Sequence, residues 1–142
     1  MLECVVYVFC GEITGERKLN SIEYMNFEGG SAFGMKDNWE LIEVPENILS
    51  VRFYPAVVAI NDTEIAILGG YDREYYKDVY LFNKNDHSVK RVAEDCDGGS
   101  GYYANTNQAA LIAHEEVVVL TGRDGNKNPS IITWKKGQNR IE

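Results

Sequence analysis

Cysteine and histidine are scarce in this sequence of 142 residues, which contains three of the former and two of the latter. Cys4, Cys10 and Cys96 are odd in number and widely spaced, and no Cys-x-x-Cys pair occurs. They therefore predict neither a disulfide framework nor a zinc knuckle. A reducing compartment fits this usage best, and we expect the cytoplasm.

Basic residues are also few: 14 Lys and Arg stand against 22 Asp and Glu, so the net charge is −8. Binding to a polyanion gains free energy when clustered Lys and Arg release counterions, and the sequence has no such cluster. We therefore expect no nucleic-acid partner. An acidic surface keeps a protein soluble and could steer a basic partner toward it.

Long apolar runs are missing. No stretch approaches the ~18 apolar residues that a membrane-spanning helix needs. The opening run 2–9 is apolar apart from Glu3 but only as long as a strand, and no basic residue precedes it. A secretory signal begins with positive charge, so we expect neither a signal peptide nor a membrane partner.

The few patterns that could suggest catalysis lack their usual context. Residues 99–104 match the dinucleotide pattern Gly-x-Gly-x-x-Ala, but no predicted strand ends just before them and no amphipathic helix follows. The acidic run 94–98 does not match a 12-residue calcium loop. His87 and His114 lie in predicted turns, and Ser100 has no neighbouring base. We expect no catalytic residue, no metal, no cofactor and no enzyme.

Short runs of β-branched and aromatic residues between clusters of Gly, Asn and Asp predict an all-β fold. Helical periodicity is almost absent. The predicted strands are 3–9, 21–25, 39–44, 56–60, 64–68, 78–82, 89–92, 108–113, 116–120, 130–134 and 140–142.

These strands form three copies of one unit. Each copy has an apolar run that ends in glycine, and an aromatic residue follows that glycine after 13, 12 and 12 positions. The glycines are Gly11, Gly70 and Gly122, and the aromatic residues are Tyr24, Phe82 and Trp134. A period of 59 and then 52 residues with about four strands is typical of a β-propeller blade. We expect the glycines to adopt positive φ and the aromatic residues to fill equivalent positions between blades.

Three further landmarks occur in order between Trp39 and Phe82. They are the segment 38–41 followed by Val44-Pro45 and Arg52, the Gly69-Gly70 pair after 65–68, and the strand 78–83. With these residues the chain resembles the kelch family of repeats. Elsewhere Cys10-Gly11 and Thr121-Gly122 replace the double glycine, and Val89 stands where Trp is usual. The resemblance implies about three four-stranded antiparallel blades, at 1–50, 51–95 and 96–142, that is, a partial kelch-type propeller.

A closed propeller needs at least four blades, so three would leave two sheet faces and several strand edges uncovered. Three explanations remain open at this point. The chain is a piece of a larger protein, or it self-associates into a ring of about six blades as a homo-oligomer, or it docks onto other propeller or scaffold subunits.

The loops at one end of a propeller are free to vary and bind, while the sheets act as a scaffold. Kelch-like domains use the loops after the glycine-ended strand and the loops that lead into the next blade. In this chain those loops contain Tyr and Arg, which interface hot spots favour. The partner-binding candidates are Arg52, Tyr54, Tyr71, Asp72, Arg73, Tyr102, Tyr103, Asn105, Arg123 and Asp124. The alternative is that the loop tyrosines pack the loops themselves.

The resemblance implies a protein-interaction module, an adaptor that binds a protein partner through its loops. A second interpretation is an assembly subunit that self-associates or docks through open blade edges. A third is a sugar-binding propeller or an enzyme such as galactose oxidase, which holds copper with Tyr and His. Two histidines on predicted turns provide no such ligand set.

Overall fold

The computed structural model describes residues 4–13, 17–27, 39–94, 108–120 and 131–139. The regular structure in these residues is all β, as predicted, and it contains no helix that could cross a membrane. The strands are β1 (Cys4–Ile13), β2 (Arg17–Phe27), β3 (Glu40–Ile42), β4 (Ala56–Ala59), β5 (Glu64–Leu68), β6 (Tyr71–Asp72), β7 (Glu74–Tyr75), β8 (Val79–Asn83), β9 (Val89–Ala93), β10 (Gln108–Ala113), β11 (Glu116–Leu120) and β12 (Ile131–Lys135).

The strands form three antiparallel sheets that follow one another along the chain. Sheet 1 has the order β1-β2-β3, sheet 2 the order β4-β5-β8-β9, and sheet 3 the order β10-β11-β12. The short hairpin β6–β7 stands apart, between β5 and β8. Sheet 2 has the four strands expected of one unit, and in sheets 1 and 3 the described residues supply three each. The predicted strand 140–142 lies outside the described residues.

Sheets 2 and 3 are structural repeats of each other. Ile65 pairs with Phe82 in sheet 2, and Val117 pairs with Trp134 in sheet 3, each 52 residues later. All five β5–β8 pairs recur in this way between β11 and β12, and so do the four β4–β5 pairs between β10 and β11. The sequence period is therefore a period of strand register.

Sheet 2 is the middle layer, and both of its faces are covered. Alternate residues of a strand point to opposite faces, so a strand buried on both sides is apolar throughout. One face packs with Ile22 and Leu49 of the first unit, and the other with sheet 3. The residues facing sheet 1 are Ile65, Ile67, Tyr80 and Phe82; those facing sheet 3 are Ala66, Leu68, Val79 and Leu81, which meet Val117, Val119 and Trp134.

Tyr24 does not occupy the position of Phe82 and Trp134, so the prediction of three equivalent aromatic residues is wrong for this residue. Tyr24 pairs with Tyr7, and both lie on the side of sheet 1 that packs on sheet 2. There the centroid of the Tyr7 ring lies 5.4 Å from that of Phe82. In sheet 1 the residue equivalent to Phe82 is Met25. Phe82 pairs with Ile65, and Met25 pairs with Val6. Val6 and Ile65 are equivalent because each precedes its glycine, Gly11 or Gly70, by five residues. A shift of one residue along a strand moves a side chain to the opposite face, and Tyr24 follows its glycine by 13 residues instead of 12.

The hairpin of β1 and β2 is longer than predicted and continues beyond the glycine. Its register shifts between Phe9 and Gly11, where Cys10 and Gly11 have φ of 55° and 129°. Gly69 and Gly70 have comparable values, 62° and 106°. Positive φ is thus confirmed at two of the three predicted glycines, and Gly122 lies outside the described residues.

Candidate partner-binding surface

Gly70 allows two loops to approach each other closely. Its φ of 106° is a conformation that other residues rarely adopt. A Cβ at this position would lie 3.2 Å from the Arg52 side chain and 3.2 Å from the carbonyl oxygen of Phe53. The loop before β4 and the loop after β5 can therefore touch only because residue 70 has no side chain.

Backbone hydrogen bonds join these two loops. The Phe53 amide donates to the Tyr71 carbonyl at 3.1 Å, and the Tyr71 amide donates to the Phe53 carbonyl at 3.0 Å. Tyr71 then opens the β6–β7 hairpin, whose tip residue Arg73 has a φ of 63°. Beyond the hairpin, the Tyr76 amide donates to the Gly70 carbonyl at 2.9 Å. The loop before β4 and the loop after β5, which are separate in sequence, thus form one unit.

Aromatic side chains cover this unit. The Phe53 ring contacts Tyr54 edge-on at 4.7 Å between centroids, and it contacts Tyr71 edge-on at 5.0 Å. Tyr54 is 54% exposed, Arg73 is exposed, and Tyr71 and Asp72 are half-buried. We call these five residues, Phe53, Tyr54, Tyr71, Asp72 and Arg73, the hairpin surface. Four of the ten sequence-predicted candidates belong to it.

Arg52, a fifth candidate, lies beneath the hairpin surface and is 0% exposed. Its Nη1 donates to Asp78 Oδ1 at 2.6 Å and to the Gly69 carbonyl at 2.8 Å. Its Nη2 donates to the Ser50 hydroxyl at 2.8 Å. The guanidinium also lies over the Tyr76 ring, 4.2 Å from its centroid. In this position the side chain supports the loops and offers no surface to a partner.

The backbone of Arg52 connects the hairpin surface to sheet 1. Its amide donates to the Leu19 carbonyl, and its carbonyl accepts from the Gly11 amide, both at 3.1 Å. Burial alone would lower the pKa of the guanidinium, but the hydrogen bond and charge of Asp78 outweigh it and raise the pKa. Burial raises the pKa of the neighbouring Cys10 thiol to about 11, although the Arg52 charge opposes this. These shifts favour the charged guanidinium of Arg52 and the protonated thiol of Cys10.

A mainly acidic concavity of about 530 Å³ lies beside the hairpin. Its charged lining residues are Glu46, Glu74, Lys77, Asp78, Arg91 and Glu94. Asp78 is engaged by Arg52, and Arg91 Nη2 lies 3.0 Å from Glu94 Oε1. Carboxylates outnumber cations here, which agrees in sign with the net charge of −8.

The other five candidates, Tyr102, Tyr103, Asn105, Arg123 and Asp124, lie outside the described residues. His87, predicted to lie in a turn, is half-buried, and its ring centroid lies 5.1 Å from that of Tyr24 and 5.8 Å from that of Phe82. Among the residues that the structure describes, no group of three or more His, Cys, Asp or Glu is arranged to hold a metal ion.

No protein-family model matches the chain, and no curated protein sequence matches it. The assignment of a function therefore depends on the residues and contacts described above.

Proposed function

We propose that this chain is a protein-interaction module, an adaptor built of kelch-like propeller blades, which binds a protein partner through the hairpin surface. The period of 52 residues in both sequence and strand register supports the blade interpretation. The observation that carries the binding function is the joining of two loops into one unit with an exposed tyrosine and an exposed arginine on it.

Rigidity favours this surface as a binding site. A loop that must become ordered on binding loses conformational entropy, which weakens the affinity. Here the Phe53–Tyr71 bridge, the β6–β7 pairing and the buried Arg52 already hold the loops in place. Tyr54 and Arg73 are residue types that contribute strongly to interfaces. An aromatic ring makes many contacts with few rotatable bonds, and a guanidinium offers several hydrogen-bond donors in one rigid plane.

The charge around the hairpin favours a basic partner segment. The concavity beside it is lined by more carboxylates than cations, and the whole chain is acidic. Potentials of this sign attract Lys-rich and Arg-rich segments and repel acidic ones. Because the charge is exposed, added salt should weaken the interaction.

The test is a selection of random displayed peptides on the immobilised chain, followed by titration of the purified peptides in solution. We expect selected peptides that combine Lys or Arg, which suit the concavity, with aromatic or apolar residues that pack on Tyr54 and on the Arg73 side chain. Tyr54→Ala and Arg73→Ala should each weaken binding by about tenfold or more, as truncation of a hot-spot residue does. Lys135→Ala, which removes an exposed side chain on sheet 3, is the matched control and should leave the affinity unchanged.

Two results would contradict the proposal. One is a selection that yields no binding peptide. The other is a set of peptides whose affinity is the same for the wild-type chain, Tyr54→Ala and Arg73→Ala. Tyr71 is not used as a test position, because its backbone and ring hold the two loops together and its loss would change the whole surface.

A further inference from the structure

Sheet 3 exposes an apolar face whose counterpart in sheet 2 is buried. Val79 of sheet 2 is 0% exposed because it packs against sheet 3, whereas Ile131, 52 residues later, is 72% exposed. The same contrast holds for Ile60, which is buried, and Ile112, which is exposed. We call the exposed side of sheet 3 the trailing face; strand register places Ala110, Val118, Ile131 and Thr133 on it.

Sheet 1 exposes the side that corresponds to the side of sheet 2 packed against sheet 1. Val8 precedes Gly11 by as many residues as Ile67 precedes Gly70, yet Val8 is 46% exposed and Ile67, which packs against sheet 1, is 0% exposed. Val6 lies two residues away on the same side of β1, and Leu41 joins them through its pairing with Glu23. We call this side, with Val6, Val8 and Leu41, the leading face; it also carries Glu23, the half-buried partner of Val8, and Met25, the buried partner of Val6.

The two contacts between the described sheets each join the trailing side of one sheet to the leading side of the next. Sheet 2 meets sheet 1 with its leading-type residues, Ile65 and Ile67, and sheet 3 meets sheet 2 with Val117 and Val119 at the same repeat positions. The trailing face of sheet 3 and the leading face of sheet 1 are thus the two halves of a contact that the chain already makes twice. A second copy of this chain carries the matching half for each of them.

We propose that two copies associate head to tail, with the leading face of each copy on the trailing face of the other. A contact between two different faces continues until the rotation closes a ring or an open polymer grows. Closed propellers contain about four to eight sheets, and two copies of the three sheets formed by the described residues give six, a number within that range. The hairpin surface is separate from this contact, because its residues belong to none of the three sheets.

The first measurement is the molar mass of the purified chain by light scattering over a wide range of concentrations. We expect a species of twice the chain mass of 16.0 kDa. Val8→Lys on the leading face and Ile131→Lys on the trailing face each replace an exposed apolar residue of the contact with a charged one. Each should raise the dissociation constant of the pair by about tenfold or more. Ile48→Lys is the matched control, since Ile48 is exposed but lies on neither face, and it should associate like the wild type.

Mixing the two variants distinguishes a head-to-tail contact from a symmetric one. In the mixed pair, one contact joins the intact trailing face of Val8→Lys to the intact leading face of Ile131→Lys, and the other contact holds both lysines. We expect the intact contact to restore a species of two chains. An unfolded variant could not restore association, so the mixture also controls for folding. The proposal is overturned if the wild type is monomeric at every concentration or forms a larger polymer. It is equally overturned if only one variant dissociates, if neither does, or if the mixture does not reassociate.

Discussion

Arg52 and Asp78 form a buried ion pair in which both guanidinium Nη atoms reach the carboxylate, at 2.6 and 3.2 Å. The two residues belong to different segments: Arg52 precedes β4, and Asp78 precedes β8. Around them meet the Gly69 carbonyl, the Ser50 hydroxyl and the ring of Tyr76. The pair therefore lies where sheet 1, sheet 2 and the hairpin surface join.

Asp78→Ala should be strongly destabilising, because it leaves the Arg52 guanidinium buried without its counter-charge. The loss of one partner of a buried pair costs about 3–5 kcal/mol. Urea unfolding measures this directly. Glu94→Ala removes an exposed carboxylate that pairs with Arg91, and it should cost less than about 1 kcal/mol. Equal losses in the two variants would show that Arg52 does not depend on Asp78.

Gly70→Ala should lower the free energy of unfolding more than Gly137→Ala. Both glycines have positive φ, 106° and 94°, so both variants carry backbone strain. A positive φ costs an ordinary residue about 1–2 kcal/mol. Only at position 70 would the new Cβ also press against Arg52 and Phe53, whereas at position 137 it would meet nothing within 4 Å. Comparable unfolding curves for the two variants would argue against the close approach of the loops.

Acid should weaken the contact between sheets 2 and 3. Lys136 Nζ donates to Glu64 and, at 3.1 Å, to Glu115, and Asn61 donates to the same two carboxylates. Hydrogen bonds from Lys136 and then Asn61 lower the pKa of Glu64; for Glu115 Asn61 is the larger cause and Lys136 the second. A carboxylate with a lowered pKa in the folded state stabilises the fold above its ordinary value, here 4.5, and this stabilisation is lost as the pH falls.

The corresponding experiment is urea unfolding at a series of acidic pH values. We expect the urea concentration at the unfolding midpoint to decrease as the pH falls below about 4.5. The decrease should be smaller in Lys136→Met, in which only the Asn61 hydrogen bonds to the two carboxylates remain. Hydrogen bonds to these carboxylates raise the pKa of Lys136, so its contribution is present below 10.5 and is lost only as the pH rises through the folded value. Lys135→Met is the control and should keep the wild-type acid dependence. An identical pH dependence in Lys136→Met would count against the network.

Trp134→Ala and Phe82→Ala should be similarly and severely destabilising, while Tyr24→Ala should cost less. Trp134 and Phe82 are both 0% exposed and occupy the same repeat position, whereas Tyr24 is half-buried on a different one. Removing a buried aromatic side chain costs about 3–5 kcal/mol. Free energies from urea unfolding provide the comparison. If Tyr24→Ala were as costly as the other two, Tyr24 would stabilise the fold as much as they do in spite of its different register.

The Cys10 thiol should react with iodoacetamide only when the chain unfolds. It is buried, and burial raises its pKa to about 11, so the reactive thiolate is rare in the folded protein. Mass spectrometry of the peptide that contains Cys10, after labelling with and without urea, measures the difference. Rapid labelling without urea would mean that the end of β1 opens readily.

The strands and their repetition were predictable because both depend on local features. Alternation of apolar residues has a period of two within each strand, and the glycine that ends each apolar run is visible in the sequence. The predicted strands therefore agree with sheets 2 and 3 to within one or two residues at most ends. The β6–β7 hairpin was missed, since two-residue strands with Arg73 at the turn carry no period and no Gly or Asn signal.

By itself, the sequence determined an all-β chain with a unit repeated after 52 residues, because strand patterning and turn residues act over a few positions. Only the tertiary structure decided that Arg52, a candidate for partner binding, is buried against Asp78, a residue 26 positions away. It also decided that Tyr24 faces sheet 2 and that the loops of Tyr54 and Tyr71 form one surface. Contacts of this kind join residues that are distant in sequence, and burial depends on which side chains the packed sheets bring together.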